Sequence, residues 1–196
     1  MEASAARNAF TIEPCSYEEV RALSAALGVS EPVAMMLVRR GYRTAADARA
    51  FLDAGETHDP FEFDAMEEVV GLLLDAVSSG ARVTVQGDYD TDGVCSTAIL
   101  VAALREAGAD CDWYLPDRMS DGYGLAAGTV RKLAARGTRV LLTADCGIAC
   151  PDEVDLAREL GLQVVVTDHH PPGERLPDCP LLPPRISDYP FDEPSA

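Results

Sequence analysis

Three short stretches of this chain carry the residue types from which a divalent-metal site is built. Asp88, Asp90 and Asp92 alternate within residues 87–93 (GDYDTDG), Asp145 lies in residues 143–148 (TADCGI), and Asp168 precedes His169 and His170 in residues 166–173 (VTDHHPPG). Carboxylates packed together repel one another, and their pKa values rise unless cations neutralise them. A mixed set of carboxylates and imidazoles suits Mn2+ or Mg2+, with Fe, Co and Zn possible on ligand type alone. Two such ions about 3.5–4 Å apart form a clamp for the attacking and leaving oxygens in phosphodiester cleavage. That chemistry requires three stretches remote in sequence to meet.

The surrounding pattern supplies a way for them to do so. Residues 16–27, 32–40, 44–53 and 64–79 place apolar side chains at three- and four-residue spacing, interrupted by Gly28, Gly41 and Gly55, and so predict helices. His58, Asp59 and Pro60 read as a connecting loop. From residue 81 short apolar runs alternate with amphipathic segments: strands at 82–86, 111–115, 139–144 and 162–167, helices at 93–107, 126–136 and 151–160, and one further apolar run at 179–182. The alternation predicts an α/β domain with a parallel, Rossmann-like sheet over residues 81–196, preceded by a small helical region over residues 1–80. Each acidic stretch then falls at the carboxyl end of a strand, the rim at which open parallel sheets bind ligands.

Composition narrows the rest. A hydrophobic content of 47% over 196 residues supplies a sizeable core. The longest apolar runs, 98–104 and 69–74, fall short of the roughly 20 residues that a membrane-spanning helix needs. The first ten residues lack the features of a secretory signal, so a cytoplasmic location is expected. Six cysteines without a CxxC pair read as reduced thiols, and Cys146 and Cys150 lack the partners of a zinc site. A net charge of −17 opposes nucleic-acid binding at long range. Two bound divalent ions, or a basic surface elsewhere, would soften that opposition without removing it.

Blander readings exist for each piece. Asp88, Asp90, Asp92 and Gly93 match the first positions of a calcium loop, but Ile99 stands where that loop needs a bidentate Glu, and a strand rather than a helix precedes it. Asp90 or Asp92 alone could cap the following helix, Asp145 could be a turn residue, and His169 and His170 could be surface histidines. Metal-compatible residues at three separate strand ends favour the shared site.

Residues 87–100 (GDYDTDGVCSTAIL), 143–148 and 166–173 resemble motifs I, II and III of the DHH phosphoesterase superfamily, in order and at appropriate separations. Residues 114–125 (YLPDRMSDGYGL) are similar to the segment between motifs I and II in the RecJ-type nucleases, and residues 39–53 followed by 58–63 are similar to their helical lead-in. The resemblance implies a 5'-to-3' exonuclease that degrades single-stranded DNA in repair and recombination with Mn2+ or Mg2+. Carried over residue by residue, Asp90, Asp92, Asp145 and His169 match metal ligands, with Asp145 bridging two ions and Asp88 a further candidate. Asp145, His169 and His170 would be the catalytic residues. His170 matches a contact to the scissile phosphate, and Asp168 would orient an imidazole. Arg118 is the candidate phosphate contact, and Tyr123 could stack on a base or pack its loop. The resemblance also implies a fourth, downstream motif and DNA-holding domains that this stretch does not contain, so weak or no activity is expected of it alone, with single-stranded DNA held mostly by those other domains. Two alternatives are carried: a DHH phosphodiesterase of short oligoribonucleotides or cyclic dinucleotides, and a non-catalytic binding protein on the same fold.

Overall fold

In the computed structural model, residues 14–55, 59–117, 119, 122 and 124–182 are described. The chain divides into two compact units, Met1–His58 and Asp59–Ala196.

Among its described residues the first unit contains three helices, α1 (Tyr17–Leu27), α2 (Glu31–Arg39) and α3 (Ala45–Asp53). Local signals start and stop them. The Ser16 hydroxyl accepts from the Glu19 N–H to cap α1, Thr44 does the same for α3 through Asp47, and Pro32 sits in the first turn of α2. Val20, Leu23, Ala34, Leu37, Val38 and Ala48 close a small core between them.

The second unit is built on a parallel sheet of β1 (Val83–Gln86), β2 (Cys111–Tyr114), β3 (Val140–Ala144), β4 (Gln163–Thr167) and β5 (Leu181–Leu182), in the order β2-β1-β3-β4-β5. Helices α5 (Thr91–Glu106), α6 (Ala127–Ala135) and α7 (Pro151–Glu159) connect the first four strands, and α4 (Met66–Ser79) precedes them. Successive strand residues serve opposite faces. Val140, Leu142 and Val165 pack with α4 and α5 through Val69, Ala76, Val101 and Leu104, whereas Leu141, Val164 and Val166 pack with α6 and α7 through Val130, Leu133, Val154 and Ala157. Burial on both faces explains why these strands read as unbroken apolar runs. Full burial of each such Leu or Val contributes about 1.5–3 kcal/mol.

Two elements differ from their sequence pattern. Helix α4, grouped by its spacing with the helical lead-in, packs on the sheet through Val69 and Ala76. Its apolar stripe specifies a buried face but not the partner that buries it. The run at 179–182 pairs only at Leu181 and Leu182, which lie beside Val166 and Thr167. Among the described residues no single helix is long and apolar enough to cross a membrane.

The chain steps from β1 to the edge strand β2 and then returns to the other side of β1 as β3. The order of winding thus reverses between β1 and β3, which is where a crevice opens at the carboxyl end of such a sheet.

Candidate metal centre

The turn after β1 is exceptionally tight. A Cβ on Gly87 would lie 1.9 Å from the Thr97 Oγ1, and one on Gly93 would lie 2.7 Å from three atoms of Asp88. The glycines therefore let α5 begin directly against the strand end, with Asp88 fully buried beneath it. Asp90 caps α5, its Oδ1 accepting from the Gly93 N–H at 3.2 Å. The capping reading of Asp90 is thus correct, and it leaves the second carboxylate oxygen outside the cap.

Asp145 follows β3 with φ of 64°, in the left-handed region that side chains other than Gly seldom adopt. Its N–H donates to the Thr167 carbonyl at 3.0 Å, which holds the turn to the end of β4. Conformations of this kind cost about 1–3 kcal/mol and persist where surrounding structure enforces them. The result is a carboxylate aimed into the crevice with both oxygens buried and without a hydrogen-bond partner. Burial first, and then the charge of Asp92, pushes its pKa up to about 6 against the opposing pull of His169. Burial also raises Asp88, despite the Tyr89 N–H that donates to its Oδ1 at 2.6 Å, while its Oδ2 has no partner. Asp92 is held below the usual carboxylate range, first by its own backbone N–H and then by a hydrogen bond with Asp90.

The turn after β4 adds the imidazoles. The His169 Nε2 lies 2.9 Å from the Asp145 Oδ1 and 3.7 Å from the Asp92 Oδ2, yet it forms no hydrogen bond. Two donor atoms at that spacing without hydrogen-bond alignment match ligands of a common cation: neighbouring ligands of an octahedral ion bound at about 2.1 Å stand roughly 3 Å apart. Asp168 is fully engaged. Its Oδ2 accepts from the Ile148 N–H at 2.9 Å, and its Oδ1 accepts from the His170 N–H at 3.0 Å and pairs with the His170 Nδ1 at 2.8 Å. Burial disfavours the charged His170 imidazole, but the hydrogen bond and charge of Asp168, with Asp145 and Asp88 behind it, hold its pKa above the ordinary histidine value.

Two overlapping groups of ligand atoms result, Asp88–Asp90–Asp145 and Asp145–His169–His170, each with all its atoms within 4.8 Å of one another. Asp145 is common to both. Asp88 Oδ2, both Asp145 oxygens and His169 Nε2 are the buried orphans among these residues, so the donor set fits a pair of divalent cations. Asp92 stands beside the second group through His169. His170, read from the resemblance as a phosphate contact, also falls within a ligand group, although its Nδ1 is taken by Asp168. Arg118 and Tyr123 lie outside the described residues. The sequence did not single out Gln86 or the Ile148 N–H. The one available signal was a long polar side chain closing the otherwise short RVTVQ run.

Residues 82–190 match the DHH family, N-terminal domain. The chain belongs to the DHH family. Among DHH relatives, the single-stranded-DNA-specific exonuclease RecJ of Bacillus subtilis is 39% identical over 176 residues, 89% of this chain and 22% of that protein. RecJ of Thermus thermophilus is 36% identical over 167 residues, 85% of this chain and 24% of that protein. Two solved structures share the fold: an exonuclease RecJ bound to manganese (36% identity, TM-score 0.63, 67% of this chain and 34% of that one) and the Thermus thermophilus RecJ in complex with Mn2+ (31% identity, TM-score 0.64, 90% and 24%). This DHH chain spans less than a quarter of the length of these curated relatives.

Proposed function

We propose that this chain is the metal-binding part of a 5'-to-3' exonuclease acting on single-stranded DNA in repair and recombination. The carrying observation is the set of buried, unpartnered donor atoms converging on Asp145 from three separate strand ends. Support for the substrate comes from the DHH relatives that are named single-stranded-DNA-specific exonucleases, and for the metal from two structural neighbours that hold manganese.

Two Mn2+ or Mg2+ ions supply charge stabilisation for phosphodiester hydrolysis when bound. Asp88, Asp90, Asp92, Asp145 and His169 would hold them, Asp145 being the residue common to both groups of ligand atoms. His170 contacts the scissile phosphate, where an imidazole N–H stabilises developing negative charge. Asp168 fixes the ring by accepting from both its backbone N–H and its Nδ1. Arg118 and Tyr123 are proposed as contacts to the phosphate and a base.

The net charge of −17 favours a second reading, in which the substrate is a short oligoribonucleotide or a cyclic dinucleotide that presents few phosphates to the acidic surface. Calorimetric titration of the chain with Mn2+, followed by competition between single-stranded DNA and those small substrates, tests both. The centre is refuted if Asp145→Ala binds Mn2+ as wild type does, and preference for the small substrates would replace the DNA reading.

A further inference from the structure

The rim of the sheet opposite the carboxylates carries the reverse charge. With 16 Lys and Arg against 33 Asp and Glu, acidic side chains should outnumber basic ones on most surfaces of this chain. Arg82, Arg136 and Arg139 nevertheless line one hollow of about 560 Å3, together with Gly80 and a single carboxylate, Asp110.

The start of the sheet brings these residues together. Arg82 stands immediately before β1 and Arg139 immediately before β3, and the two strands pair in parallel with Val83 beside Val140. The Arg139 N–H donates to the Arg82 carbonyl at 2.9 Å. Arg136 closes α6, and Gly80 closes α4. The ordinary task of an arginine at such a place is to satisfy the carbonyls that end a helix. Arg82 performs it, its Nη1 donating to the Arg136 carbonyl at 3.3 Å while its Nε pairs with the Asp110 Oδ2 at 3.1 Å. Arg136 and Arg139 do not. Among the described residues neither guanidinium has a hydrogen-bond or ion-pair partner.

Three guanidiniums against one carboxylate leave two positive charges uncompensated at the hollow. Free guanidinium forks match the oxygens of a phosphate group and bind it bidentately. Strands of four and five residues, rising about 3.3 Å per residue, separate this rim from the metal-bearing one by roughly 13–17 Å. One phosphate group cannot touch both.

We propose that this hollow is a second, phosphate-binding site, in which Arg136 and Arg139 grip a phosphate group and Arg82, oriented by Asp110, supplies a third fork. The phosphate belongs either to a small free compound or to the backbone of a nucleic acid. The site stands independently of the nuclease reading.

Calorimetric titration in EDTA isolates it, because the unneutralised carboxylates of the metal centre then repel anions. Pyrophosphate represents the free compound, and a single-stranded oligodeoxynucleotide without terminal phosphates represents the backbone. The wild-type chain should bind at least one: pyrophosphate alone identifies a small ligand, and the oligonucleotide, with or without pyrophosphate, identifies a nucleic acid. Arg136→Ala and Arg139→Ala should each raise the Kd of the bound probe about tenfold, and Asp110→Asn should lower it several-fold. Arg21→Ala removes the same charge from an exposed position on α1 and should change the Kd less than about twofold. Mn2+ affinity, measured separately, should match wild type in every variant and so reports that the fold is intact. Asp110→Asn decides the matter if an alanine variant fails that check. Binding of neither probe, equal weakening by Arg21→Ala, or unchanged affinity in folded Arg136→Ala and Arg139→Ala would overturn the site, as would weaker binding in folded Asp110→Asn.

Discussion

At the scale of single residues, Asp145 concentrates the conflict between stability and function. Its folded pKa, pushed up to about 6, lies above the ordinary carboxylate value, so the folded metal-free state holds a proton that the unfolded chain releases. Stability from this group is complete below pH about 4, falls as pH rises towards 6, and becomes a penalty on the order of 2–3 kcal/mol at neutrality. Asparagine mimics the protonated acid. Asp145→Asn should therefore raise metal-free stability at pH 7 by about 1–3 kcal/mol and flatten its pH dependence between 4 and 6 in denaturant titrations, while Mn2+ affinity falls at least tenfold. An Asn variant less stable than wild type at neutral pH would contradict the burial argument. His170→Ala makes the complementary case: on its proposed role, Mn2+ binding should change less than about tenfold while turnover measured in a full-length enzyme falls, whereas loss of both ions would reassign it as a ligand. The acidic and imidazole residues were legible in the sequence because their types and positions after apolar runs are chemical statements in themselves. The left-handed backbone of Asp145 was not, since Asp in a turn is compatible with several conformations, and the bond from its N–H to the Thr167 carbonyl is a tertiary contact that the sequence does not display.

At the scale of elements, the meeting of β1 with α5 leaves no space for a side chain on either glycine. Gly93→Ala would drive a Cβ to 2.7 Å from the Asp88 backbone, which cannot rotate away, so it should destabilise the fold by about 1–3 kcal/mol or more and displace Asp88. Thermal unfolding together with Mn2+ titration checks both effects. Leu142→Ala, in the middle of β3, should cost about 2–5 kcal/mol through the cavity it leaves. It should leave Mn2+ affinity nearly untouched at temperatures where the variant is folded. The alternation of strand and helix was readable because two-sided burial imposes continuous apolar runs on the strands and a stripe on the helices. The partner of α4 was not readable, because the same periodicity serves a helix bundle or a sheet face. That pairing begins at Leu181 rather than at Cys179 was hidden for a related reason: strand pairing depends on the neighbour's register, which the apolar run at 179–182 does not encode.

At the scale of the molecule, a net charge of −17 and a cluster of inward carboxylates make divalent ions thermodynamic partners of the fold. Free Mn2+ at 100 times its Kd should add about 2.7 kcal/mol to stability per independent site, visible as a rise in melting temperature that Asp145→Asn largely abolishes. The placement of β3 beside β1 has a further consequence in time. The donors on Asp88 and Asp145 are neighbours in the sheet but are separated along the chain by α5, β2 and α6, so their approach requires closure of a long segment. Contacts of such high sequence separation form late. Cations that need both donors can grip only what has already assembled, so added Mn2+ should leave the refolding rate nearly unchanged and slow the unfolding rate instead.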